Sequence, residues 1–177
     1  QTLYGDKRAL GQGTIQSYIE LDEKGHPTSI GISLNSAALS TLPSTPNPTS
    51  KCFDVNGDGS TDAASECLGD YELALFFRSN DLKRAQIPFQ WIGVNWNSHG
   101  HPPVGVWTLP HFDFHFYIMD YQAVKQILPG PCGEFIDCEH FQRATMPVPS
   151  QYVPVEHVNV DGAVPGMGNH LINPASP

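Results

Sequence analysis

Positive charge is scarce in this chain: nine Lys and Arg stand against eighteen Asp and Glu, a formal net charge of −9 over 177 residues. Such a balance repels polyanions, so neither nucleic acid nor an anionic membrane surface is expected as a partner. No apolar run approaches the ~20 residues that a spanning helix needs, so no membrane span is expected. There is no C-x-x-C, which argues against a cysteine-based zinc site. Nucleophile elbow, P-loop, H-E-x-x-H and dinucleotide fingerprint are all missing, and the common enzyme classes built on them drop out. Internal repeats, low-complexity segments and a break in composition are missing too, so residues 1–177 are read as a single domain.

What is present favours turns and strands. Sixteen Gly, sixteen Pro and a hydrophobic content of 40% fit a globular, loop-rich β chain better than a helical bundle. The expectation is a mainly β fold, sandwich or barrel-like, with two or three short helices and long Pro-rich loops. The four cysteines fall into two local pairs, Cys52 with Cys67 and Cys132 with Cys138, each bracketing a turn-rich loop. They read as two disulfides, the alternative being reduced thiols in a cytosolic protein. Together with a start at Gln1, as after signal-peptide removal, they point to a secreted or periplasmic protein.

Along the chain, alternation over 13–21 and 30–34 around an Asp22–Gly25 turn predicts a β-hairpin. Asn35-Ser36 starts a short helix over 37–42, which Pro43 stops. Residues 71–77 read as a buried strand, with a short helix as the alternative, and 80–85 as a polar, exposed stretch. Residues 89–96 read as a strand apolar on both faces, as deep in a sandwich. Helices are expected over 120–128 and 137–144, and 146–177, with prolines at 147, 149, 154, 165 and 174, as an extended wrapping tail.

Between Cys52 and Cys67 the run D-x-N-x-D-G-x-x-D sets oxygen ligands at alternate positions, with Gly59 at the sharp turn. It resembles the calcium loops of EF-hand, dockerin and thrombospondin-repeat proteins. Carried over by position, Asp54, Asn56, Asp58 and Asp62 would bind calcium through side chains and Ser60 through its carbonyl. The twelfth position holds Ser65 where an EF-hand has Glu, and Glu66 comes one place late. The expectation is therefore a disulfide-closed, calcium-loop-like insertion over 52–67. Its alternative is an Asx-turn loop without metal.

The most specific chemistry lies in H-G-H-P-P, residues 99–103, and P-H-F-D-F-H-F-Y, residues 110–117. In the second run His111, Asp113 and His115 alternate with Phe112, Phe114 and Phe116, a period of two that puts the polar set on one face of a strand and the phenylalanines on an apolar core. Imidazole and carboxylate on rigid backbone suit zinc, copper, iron or manganese, which the residues do not distinguish. Carbonic anhydrase and cupins use H-x-H on strands in the same way. Residues two apart on a strand lie ~6.7 Å apart and residues four apart ~13 Å. One ion is thus reached by His111 with Asp113, or by Asp113 with His115, but hardly by both histidines of a straight strand. Further ligands are expected from His101 and His170, each set among Gly and Pro. The competing account is a metal-free polar network in which Asp113 orients the histidines.

G-H-P-P followed by P-H-F-D-F-H-F-Y and a late M-G-x-H resembles a family of uncharacterised exported bacterial proteins, a domain of unknown function first defined on a Thermus hypothetical protein. The resemblance runs from residue 13 to His170, with the Asp54 loop as an insertion, and carries over Gly100, His101, Pro102, Pro103, Pro110, His111, Asp113, His115 and His170. It implies a β-rich, exported protein, with a homo-oligomer among its expectations, and supplies no activity. Three functions follow from the residues: a secreted metalloenzyme (hydrolase, lyase or oxidase) with Asp113 or Glu156 moving protons, a metal-binding or sequestering module without turnover, and a metal-free structural or ligand-binding β-protein. A small-molecule substrate is left unidentified.

Overall fold

A computed structural model describes residues 1–45, 51–62, 66–67, 71–101, 105–133 and 135–175. The fold is mainly β, with three antiparallel sheets and no barrel closure among the described residues. Two compact units make it up: Gln1–Asn47 with Gly69–Tyr121, and Pro48–Leu68 with Gln122–Pro177.

The first unit is two three-stranded sheets over one core. Strands β1 (Thr2–Leu10), β2 (Gly13–Leu21) and β3 (Pro27–Leu34) pair in that order. In β2 the alternation is complete: Ile15, Ile19 and Leu21 are buried, while Gln16, Tyr18 and Glu20 are not. The expected hairpin is present, and β1 extends it with Leu3 and Leu10 inside and Lys7 and Arg8 outside. Helix α1 (Ser36–Ser40) starts as expected, with the Asn35 side chain accepting from Ala38 N at 2.9 Å.

The second sheet has the order β4 (Tyr71–Phe76), β5 (Trp91–Asn97), β6 (His111–Tyr117). Leu75, Ile92 and Val94 meet Ile15 and Ile19 in the core. As expected for a central strand apolar on both faces, β5 is buried on both, save for half-buried Trp96. Two expectations need correction. The segment read as polar and exposed contains helix α2 (Ser79–Ala85), which buries Ala85 and packs Leu82 on the core. Its N-cap is Arg78, which makes no side-chain cap bond, so the usual start signal was missing. The phenylalanine face of β6 is also only partly covered. Phe112 packs on the core, but Phe114 and Phe116 are 41% and 39% exposed, because β6 is the edge strand of its sheet.

The two sheets come into contact at Gly5. A Cβ there would stand 2.4 Å from Ser17 Oγ and 2.5 Å from Phe76 O, and Ser17 Oγ donates to that same carbonyl.

The second unit holds α3 (Tyr121–Lys125), β7 (Pro129–Cys132), α4 (Cys138–Ala144) and a short 3-10 turn (Ser150–Tyr152). Within 146–177 the chain then forms an antiparallel hairpin of β8 (Val158–Val164) and β9 (Gly168–Ile172). Both expected disulfides are formed, Cys52–Cys67 and Cys132–Cys138. Asp137 caps α4, accepting from His140 N at 3.0 Å and from Leu128 N at 3.1 Å. Among the described residues no helix is long and apolar enough to cross a membrane.

Replacing Gly5 with Val forces the sheets apart against fixed backbone, and is expected to cost about 3 kcal/mol in urea unfolding. Acid unfolding tests the cap. Burial raises the Asp137 carboxyl, but bonds from His140 and Leu128 outweigh it and hold it below the ordinary value of 3.8. A depressed carboxyl stabilises the fold above its unfolded value and loses that contribution as pH falls through the folded one. The stability gap between wild type and Asp137→Asn should therefore be constant near neutrality and close below about pH 4.

Candidate metal centre

Antiparallel pairing of β5 with β6 sets Asn97 opposite His111, Asn95 opposite Asp113 and Gly93 opposite His115. One face of the sheet therefore carries two histidines and a carboxylate from the edge strand beside two buried amides from the central one. Asn97 and Asn95 are 0% and 2% exposed.

His101 reaches this face through a tight return of the chain. Gly100 N donates to Asn97 O, and His101 N donates to Trp107 O at 2.8 Å. The return needs Gly100 at φ +72, where a Cβ would lie 2.2 Å from Trp107 O. Position 100 is thus closed to any other residue on both torsional and steric grounds. It leaves the His101 ring 4.9 Å from that of His111 and 5.6 Å from that of Trp107, centroid to centroid. Pro102 and Pro103 lie outside the described residues.

His101, His111 and Asp113 consequently offer one ligand atom each within 4.8 Å of one another. His101 Nε2 is 3.2 Å from Asp113 Oδ2, and His111 Nε2 is 3.6 Å from Asp113 Oδ1. His111 Nδ1 stands 2.7 Å from Leu109 O. A carbonyl only accepts, so Nδ1 carries a proton and Nε2 is the atom turned toward the carboxylate. Asn97 Nδ2 donates to Asp113 Oδ2 at 2.7 Å. Its Oδ1 is buried and has no hydrogen-bond partner among the described residues, a cost set against the bond that Nδ2 makes to the carboxylate. Burial raises the Asp113 carboxyl, yet the hydrogen bond and charge of His101, the charge of His111 and the Asn97 amide together bring it below its ordinary value. It is an anion at neutral pH. Further along the face, burial and then the charge of Glu72 push the Tyr117 phenol well above its ordinary range, so it stays protonated.

Three of the five expected ligands thus meet, and they include the His111–Asp113 pair of the two that strand geometry allowed. His115 sits on the same face one rung on, its ring 6.1 Å from Tyr117, and is not part of the group. His170 belongs to β9 in the second unit, where Nδ1 meets Gly162 O at 2.9 Å. His26 and His140 each lie against an aspartate, Asp22 and Asp137. Exposed Glu156 lies in the second unit. Sequence reasoning missed Asn97, since nothing but the β5–β6 register marks it.

In the 52–67 loop the side chains of the calcium motif meet backbone donors. Asp54 accepts from Gly57 N, Asp58 N and Gly59 N, Asn56 from Asp58 N, and Asp58 from Ser60 N. Glu66, 4% exposed, closes the loop by accepting from Val55 N, Asn56 N and Asp62 N. Ser65 lies outside the described residues. Nested turns of this kind account for the loop's shape without an ion, so calcium at Asp54, Asn56, Asp58, Ser60 and Asp62 rests on the spacing alone.

Compared with known proteins, the chain matches no family model, no curated protein and no solved structure.

The His111 tautomer is directly measurable. In metal-free protein, nitrogen-15 shifts should show a protonated Nδ1. A bare Nδ1 would mean that Leu109 O does not hold the ring.

Proposed function

We propose that this is an exported metal-binding protein in which His101, His111 and Asp113 hold one divalent transition metal and leave part of its coordination sphere open. The observation that carries the proposal is the convergence of the three donors within 4.8 Å, with His111 Nε2 turned toward Asp113 by the contact of Nδ1 with Leu109 O. Two imidazoles and a carboxylate suit zinc, iron, manganese or copper. Three protein ligands are the count of a catalytic site rather than of a saturated structural one. The three side chains are 23%, 25% and 31% exposed, so solvent reaches the open side.

An ion held by these three residues would supply Lewis acidity at the site, which is why hydrolase, lyase or oxidase chemistry fits. The chain's own part is positional. Leu109 O fixes one ring, Trp107 O fixes the backbone of another, and the Asn97 amide fixes the carboxylate. Such supporting contacts set ligand orientation and basicity. A sequestering protein without turnover would use the same three ligands, and the open side favours catalysis over it. Two disulfides fit an extracellular protein, and a secreted or periplasmic location is part of the proposal.

Elemental analysis of protein purified without added metal should find about one equivalent of a transition metal. His111→Ala should weaken its affinity about 100-fold or more, and His115→Ala by less than about tenfold. Absence of stoichiometric metal, or unchanged affinity in His111→Ala, would overturn the reading.

A further inference from the structure

The surroundings of the centre say what kind of molecule its open side accepts. Trp107 is 38% exposed and its ring packs 5.6 Å from the His101 ring. Its backbone is fixed, because its carbonyl holds His101 N and the Gly100 return closes on it. Val106 and Leu109 beside it are both well exposed. A metal ligand that carries an apolar group gains by covering an exposed indole.

We infer that the open side takes a molecule with a nitrogen or oxygen donor for the metal and an aromatic or apolar group laid on Trp107, which makes Trp107 the specificity-determining residue of the site. The inference rests on the metal reading above.

Cobalt(II)-loaded protein, followed by its visible absorption, tests it with imidazole and phenylimidazole as probes. Phenylimidazole should bind about tenfold tighter than imidazole. Trp107→Ala should erase that advantage, read as the ratio of the two affinities on cobalt-loaded protein so that any change in cobalt retention cancels. Trp107→Leu keeps the loop packed if the alanine variant loses metal or fold, and it too should reduce the advantage to about threefold or less. An unchanged phenylimidazole-to-imidazole ratio in Trp107→Leu overturns the inference, as does wild type binding the two probes equally. Failure of wild type to take up cobalt sinks the metal reading itself, and the inference with it.

Discussion

The pairing of β5 with β6 is the constraint on which the site depends. It is a backbone ladder, indifferent to side chains, yet it places the buried Asn97 amide against His111 and Asp113. A slip of one residue would turn the histidines and the aspartate onto the core face and the phenylalanines onto the polar one. Register is held because the opposite face is committed. Ile92 and Val94 pack into the core of the first unit, and Phe112 with them. The apolar side of the sheet thus specifies where the polar side stands.

The other half of the site comes from a turn rather than a strand. His101 stands ten residues before His111, and the chain between them has to fold back to bring the rings together. Gly100 makes the fold geometrically available, and the His101 N to Trp107 O bond closes it. Pre-set backbone of this kind keeps the entropy cost of assembling three donors low when a ligand arrives.

The period of two in P-H-F-D-F-H-F-Y was enough to place His111 and Asp113 on one face, and the rise of a strand was enough to separate His115 from His111. Periodicity does not show how far a core extends, so exposed Phe114 and Phe116 look the same in sequence as half-buried Phe112. Asn97 was hidden for a different reason: its role exists only through a partner sixteen residues away, and pairing register is not written locally. Helix α2 lacked a capping side chain, and β1 is polar through its middle, with only Leu3 and Leu10 in the core. Glu66, one place late for a calcium ligand, proved to be the buried residue that ties the loop's backbone together. Local chemistry was readable; long-range partnership was not.

The central claim is that one metal ion sits between His101, His111 and Asp113. Anomalous X-ray diffraction from crystals of the protein grown with its native metal locates that ion directly. The account predicts a single strong peak at about 2.0–2.2 Å from His111 Nε2, shared with His101 and an Asp113 oxygen. A peak on other residues, or well-ordered rings at this site with no peak between them in metal-replete crystals, would contradict it.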